Sequence, residues 1–147
     1  LIQLVSFKIG NEEYGVDILK VQEINRILEI TKVPNAPEYV DGVVNLRGRI
    51  IPVIDLRVRL KMEKKVNDSK TRIIVVNVDD KTVGFLVDEV SEVLRIPKNI
   101  TEAPPAMVSN IDSDYITAVA KLEGRLLILL DLDKVLSKEE QKELEAV

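Results

Sequence analysis

The second half of this 147-residue chain repeats the first. Residues 42–60 align without a gap to residues 118–136, with identities at Val43/Val119, Leu46/Leu122, Gly48/Gly124, Arg49/Arg125, Asp55/Asp131, Leu56/Leu132 and Leu60/Leu136. A second alignment, at another offset, matches Gly15/Gly84, Val21/Val90 and Glu23/Glu92. The offset changes because the second half carries a longer loop, residues 97–114. A hairpin glycine, a helix-capping aspartate and apolar strand positions are what recur. Each half is therefore expected to be one unit of about five strands, closed as a small barrel that leaves no strand edge exposed. At roughly 70 residues such a unit is marginal alone, so the two are expected to pack together and share an aliphatic core. A groove between packed lobes is a common binding site.

Local patterns place the elements. Val5-Ser6-Phe7-Lys8-Ile9 alternates apolar and polar residues, the period of a half-buried strand. Asp17 suits the cap of a short helical turn reaching Lys20, and Val33-Pro34-Asn35-Ala36-Pro37 reads as an extended loop. Residues 43–46 and 49–54 read as a hairpin around Arg47-Gly48, with Gly48 supplying a positive φ. Pro52 is expected to put its strand at an edge or a bulge. Asp55 and Asp131 read as caps of short helices. Residues 72–78 and 82–87 are expected strands, residues 88–96 fit helix or strand, and residues 97–114 read as a long loop. Residues 115–122 and 125–130 form another expected hairpin, and the run 126–130 has no polar face, as in a strand buried on both sides. Ser137 with Glu140 is a capping box that starts a C-terminal helix. The expectation is a mainly β domain over residues 1–147. Its approximate units are 1–67 and 68–147, with exchange of terminal strands between them allowed.

The absence of His and Cys excludes Ser–His and Cys–His nucleophile pairs, zinc sites built on those residues, Fe–S clusters and thiol redox chemistry. Aromatic residues make up only 3%, so the core must be Val, Ile and Leu. A net charge of −4 gives no electrostatic case for nucleic acid. The longest aliphatic run falls far short of the ~20 residues a membrane helix needs, and no secretory signal pattern is visible. The chain begins at Leu1 rather than Met, so an N-terminal portion is expected to be missing.

Asp112/Asp114 and Asp131/Asp133 are acidic pairs that could offer oxygen ligands to a hard cation, but Asp131 sits where a helix cap is wanted. No phosphate-cradling glycine loop or nucleophile elbow accompanies the Lys and Tyr residues, so no enzyme, cofactor or metal is expected. Arg47 stands at a hairpin tip where the repeat puts Glu123, so barrel closure does not require it. It is either a solvated turn charge or a bidentate anchor for a partner, with Glu23 a plausible neighbour.

Residues 13–24, 40–57 and 83–94, with Asn45-Leu46-Arg47-Gly48 as the most specific block, resemble the bacterial chemotaxis coupling protein family CheW. The resemblance runs from about Val5 to the C-terminal helix. It implies two packed SH3-like five-stranded β-barrels with short helices and a C-terminal helix. It also implies a non-catalytic, cytoplasmic adaptor that couples chemoreceptor tips to the regulatory domain of the histidine kinase CheA in arrays at the inner membrane face. The resemblance puts Glu23, Arg47 and Ile50 on or near the receptor-binding surface, and Asn45 and Gly48 of the same hairpin among the receptor- or kinase-binding residues. Val21 and Gly42 fall at partner-binding positions, and Val90 and Val93 line the inter-barrel groove that receives the receptor's helical hairpin. The 101–107 loop is carried over as an array contact. No direct membrane insertion is implied, and a monomer is expected in isolation. The second reading is a regulatory module of a larger protein, such as the C-terminal domain of CheA or the N-terminal half of CheV. The short tail after the last helix favours a complete small protein.

Overall fold

The structure is a computed structural model that describes residues 1–104 and 115–145. The first-half strands are β1 (Ile2–Ile9), β2 (Glu12–Asp17), β3 (Val21–Arg26), β4 (Val40–Leu46) and β5 (Arg49–Asp55). Helix α1 (Leu56–Arg59) precedes β6 (Arg72–Val78), β7 (Lys81–Val87), β8 (Glu89–Ile96) and β9 (Thr101–Glu102). After the undescribed residues come β10 (Ile116–Leu122), β11 (Arg125–Leu130), α2 (Leu132–Val135) and α3 (Lys138–Glu145). Residues 88–96, ambiguous in sequence, resolve as a strand. Its β-branched residues win because β1 offers a ladder from Ile2↔Ile96 to Lys8↔Glu89, interrupted by one bulge between Ser6 and Phe7. The expected 97–114 loop contains the short strand β9, while Pro105, Met107, Asp112 and Asp114 lie outside the described residues.

Two sheets form, one ordered β8-β1-β2-β11-β10-β9 and the other β3-β6-β7-β5-β4. They do not divide the chain near residue 67. β6 and β7 complete the sheet of β3, β4 and β5, and β1 and β2 complete the sheet of β8, β10 and β11. Under the repeat, β1-β2 is the counterpart of β6-β7, so each half supplies its first hairpin to the other half's sheet. Both insertions are made through parallel pairs. Val53↔Gly84 and Ile54↔Phe85 join β5 to β7, and Ile128↔Tyr14 and Leu129↔Gly15 join β11 to β2. The matched glycines thus stand at equivalent seams.

Each sheet also closes in the same way. The connector after β3 bridges to β4 at Thr31↔Val43, and β9, the continuation of β8, pairs with β10 at Val119↔Glu102. The bridge, two backbone bonds of 2.9 Å between Thr31 and Val43, covers part of the outer edge of β4. Gly42 allows it, because a Cβ there would lie 2.3 Å from Thr31 O and 2.7 Å from Ile30 Cγ2. Pro52 departs from expectation, since β5 has neighbours on both sides. Its missing N–H is tolerated because the β5–β7 ladder begins only at Val53.

Three apolar clusters result. Val44, Val53, Ile73 and Leu86 fill the first barrel, and Leu4, Ala120, Leu127 and Leu129 fill the second. A third cluster, with Phe7, Ile54, Ile74, Phe85 and Leu130, takes side chains from both sheets. In the apolar run, Leu127, Leu129 and Leu130 are buried as expected, but Leu126 is exposed. Asp55 and Asp131 cap α1 and α2, each accepting from the amide two residues on at 3.0 Å. Their own amides donate to Tyr39 O and Tyr115 O, both at 2.8 Å. The capping box forms reciprocally, Ser137 N to Glu140 Oε1 at 2.8 Å and Glu140 N to Ser137 Oγ at 3.1 Å. α3 then reaches back to the first barrel, where Arg59 pairs with Glu140 at 3.2 Å.

The glycine geometry ranks three substitutions. Gly42→Ala, blocked by backbone, should destabilise most, by about 3 kcal/mol. Gly84→Ala meets the stiff Ile73 Cγ2 at 2.7 Å and should come second. Gly15→Ala meets only leucine methyl ends at 3.2–3.3 Å and should be mildest. Urea titrations of the three variants check the order.

Candidate functional site

Five of the residues named from the sequence gather at one end of the first barrel. Arg47 and Gly48 join β4 to β5 with φ of 51° and 88°, both positive as a two-residue type I′ turn requires. Gly adopts this conformation freely, whereas a left-handed Arg is uncommon. Contacts on either side hold the turn. Asn45 Oδ1 accepts from Gly48 N at 2.8 Å. The Arg47 guanidinium donates through Nη1 to Glu23 Oε1 at 3.0 Å and through Nη2 to Glu23 Oε2, a bidentate fork across to β3. Asn25 Nδ2 adds a bond to Glu23 Oε1 at 2.9 Å. The donors of Arg47 and Asn25 hold the Glu23 carboxyl below the usual carboxylate range. The Arg47 side chain is 70% exposed, so the pair orients the tip more than it stabilises the fold.

Ile50 faces Asn45 across the β4–β5 ladder and is 66% exposed, an unusual state for a strand isoleucine. Val93, on β8, is 54% exposed. Val21 and Val90 differ, being partly buried against the shared core. Gly42 is buried at the closure of the first barrel, away from solvent. The structure therefore brings together Glu23, Asn45, Arg47, Gly48 and Ile50, and gives Val21, Val90 and Gly42 a packing reason as well.

Sequence reasoning passed over Ile24, Asn25 and Leu126. Ile24 is the repeat counterpart of Val93, and Leu126 that of Ile50, and both are exposed. The repeat itself was the signal that could have found them. The second barrel frames its exposed pair differently. Arg125 bonds Glu92 and Glu13, both at 3.2 Å, and Glu13 accepts from the fully buried Ser6 hydroxyl. Its hairpin tip also differs, since Gly124 has φ of 74° while Glu123 is not left-handed.

Asp131 is engaged as a cap and Asp133 pairs with Lys20 at 2.8 Å. Among the described residues no group of three or more acidic side chains is arranged to hold a metal ion. Among them, too, no helix is long and apolar enough to cross a membrane.

Residues 3–140 match the CheW-like domain family. The chain is 42% identical over 138 residues to the chemotaxis protein CheW of Klebsiella aerogenes, covering 94% of this chain and 83% of that one. It is 31% identical to the chemotaxis protein CheV3 of Helicobacter pylori, covering 92% of this chain and 47% of that one. Among solved structures, the scaffolding protein TtCheW from Thermoanaerobacter tengcongensis superposes with a TM-score of 0.84 at 38% identity, covering 92% of this chain and 88% of that one.

The Glu23–Arg47 fork has a titration signature. A depressed pKa means the pair is complete above the ordinary glutamate range and opens only as pH falls through the lowered value. Carboxyl-detected NMR should place the Glu23 midpoint below the ordinary glutamate range. Arg47→Ala should raise it toward the ordinary range, with the Asn25 bond still holding it down.

Proposed function

The chain belongs to the CheW family, and from that premise we propose that it is a non-catalytic chemotaxis adaptor coupling the cytoplasmic tips of methyl-accepting chemoreceptors to the regulatory domain of the histidine kinase CheA. The observation that carries this reading is that exposed apolar residues recur at equivalent repeat positions of the two barrels, beside different ion pairs. Ile24 and Ile50 are exposed on the first barrel, Val93 and Leu126 on the second. A coupling protein needs two such faces, and different ion pairs beside them let each face choose its own partner. A helical receptor tip offers apolar side chains at helical spacing that suit an aliphatic surface. Val21, Glu23, Gly42, Asn45, Arg47, Gly48, Ile50, Val90 and Val93 are the proposed partner-binding set. The proposed units follow the sheets, with β1-β2 and β6-β7 exchanged. In this reading the protein is a cytoplasmic monomer when isolated and is recruited to receptor arrays.

A second reading is a regulatory module within a larger signalling protein. The CheV3 similarity favours it, because this chain spans 47% of that protein.

Titration with a receptor-tip fragment and with a CheA regulatory domain, followed by two-dimensional NMR, tests the adaptor reading. Separate sets of perturbed amides, one near Ile50 and Arg47 and one near Val93, support it. Absence of binding to both overturns it. Arg47→Ala should move the melting temperature by no more than about 2 °C. Arg47→Ala and Ile50→Asp should each weaken binding of one partner by roughly tenfold or more. A fall of many degrees for Arg47→Ala would make that residue structural instead.

A further inference from the structure

The repeat supplies an internal control for the mouths of the two barrels, and they differ. In the first, Leu86 is buried in the barrel's inner cluster. Arg57 lies across the opening, donating through Nε to Asp88 Oδ1 at 2.8 Å and through Nη2 to Asp88 Oδ2 at 2.5 Å, while Gly10 N donates to Asp88 Oδ2 at 2.7 Å. Against Arg57 and Leu86 the cavity is about 10 Å³, barely room for one water, and the larger cavity beside it, about 460 Å³, is rimmed by Lys32, Lys64 and Lys65 as well as by Asp41 and Asp55.

The second mouth carries different residues at the same places. The counterpart of Leu86 is Asp17, which is exposed and turns its carboxylate to accept from Leu19 N at 2.9 Å. The counterpart of Arg57 is Asp133. A cavity of about 250 Å³ opens there, walled by Ile2, Leu4, Val16, Leu129 and Leu130, with Thr117 and Lys20 also lining it. Asp17 and Asp131 line it as well, and Asp133 joins them through its bond to Lys20.

Lys20 shows what this rim selects. Its ammonium donates to Asp133 Oδ2 at 2.8 Å and is about half exposed. The bond to Asp133, with the charges of Asp131 and Asp17 behind it, holds the Lys20 pKa above the usual lysine range. Three carboxylates around one ammonium leave the rim negative, which favours a cation and disfavours an acid. The wall below is aliphatic, which favours a hydrocarbon tail.

We propose that the mouth of the second barrel binds an aliphatic primary ammonium compound, its tail among Ile2, Leu4 and Leu129 and its ammonium replacing that of Lys20 on Asp133. Lys20 is then a competitor supplied by the chain itself.

The full chain, titrated with n-hexylammonium chloride and followed by amide NMR, tests this. Saturable shifts should centre on Ile2, Leu4, Thr117 and Leu129. Hexanoate and hexanol, which share the tail, and methylammonium, which shares the head, should each bind at least about tenfold more weakly. Lys20→Ala should tighten binding several-fold, and Asp133→Asn should weaken it by about tenfold. Asp17→Leu, which restores the leucine of the first mouth, should abolish it. Equal binding of hexanol and hexylammonium overturns the proposal, as do shifts that map elsewhere. The wild-type comparison stands even if a variant fails to fold.

Discussion

The cluster of Phe7, Tyr14, Ile54, Ile74, Phe85 and Leu130 draws side chains from both sheets. Phe7 and Tyr14 stack within it with ring centroids 5.8 Å apart. Because it lies between the barrels, the strands that supply it are buried on both faces. β6 sends Ile73 and Val75 into the first barrel, and Ile74 and Val76 into the shared cluster. β1 sends Leu4 into the second barrel, and Val5 and Phe7 into the shared cluster. Neither barrel could bury these residues alone. The exchange of first hairpins strengthens the dependence, since each sheet is completed by strands from the other half. The molecule is therefore expected to unfold as one cooperative unit despite its two barrels.

Local chemistry was readable from the sequence, and long-range pairing was not. The hairpin around Gly48, the caps at Asp55 and Asp131 and the Ser137 capping box depend on neighbours a few residues away, and all formed. The exchange of β1-β2 with β6-β7 depends on which of two equivalent apolar strands meets β5 or β11. Period-two alternation cannot decide that, because it reports which face of a strand is buried and not which strand lies beside it. Pro52 was misplaced for a related reason. A proline excludes only a ladder that reaches its own N–H, and the parallel pairing starts one residue later. The strand β9 is two residues long and has no pattern to detect.

The candidate site was legible to the extent that it broke the repeat. Arg47 against Glu123 was visible as an asymmetry, and its link to Glu23 followed once β3 was placed beside the hairpin tip. The left-handed backbone at Arg47 was not visible, because a type I′ turn prefers Asn or Asp at that position. Asp79 and Asp80, with φ of 47° and 66°, show the preferred chemistry in the neighbouring hairpin. A residue held in an unfavourable conformation and tied by a surface ion pair is a sign of a requirement other than stability.

Duplication would let one scaffold serve the two partners of the proposed function. The fold needs the seam glycines, the closing bridges and the caps in both halves, and both halves keep them. It does not need the exposed tips, and there the halves have diverged. Glu23 is tied to an exposed arginine, whereas Glu92 is tied through Arg125 and Glu13 to the buried hydroxyl of Ser6. The first face can rearrange its charges at little energetic cost, while the second is anchored to the interior. A partner at the first face therefore competes with an ion pair already made, which limits affinity. A partner at the second face meets a preorganised surface, which lowers the entropy lost on binding. In the proposed adaptor role, contacts on two faces would gain stability when many copies assemble, which suits an array better than a tight binary complex.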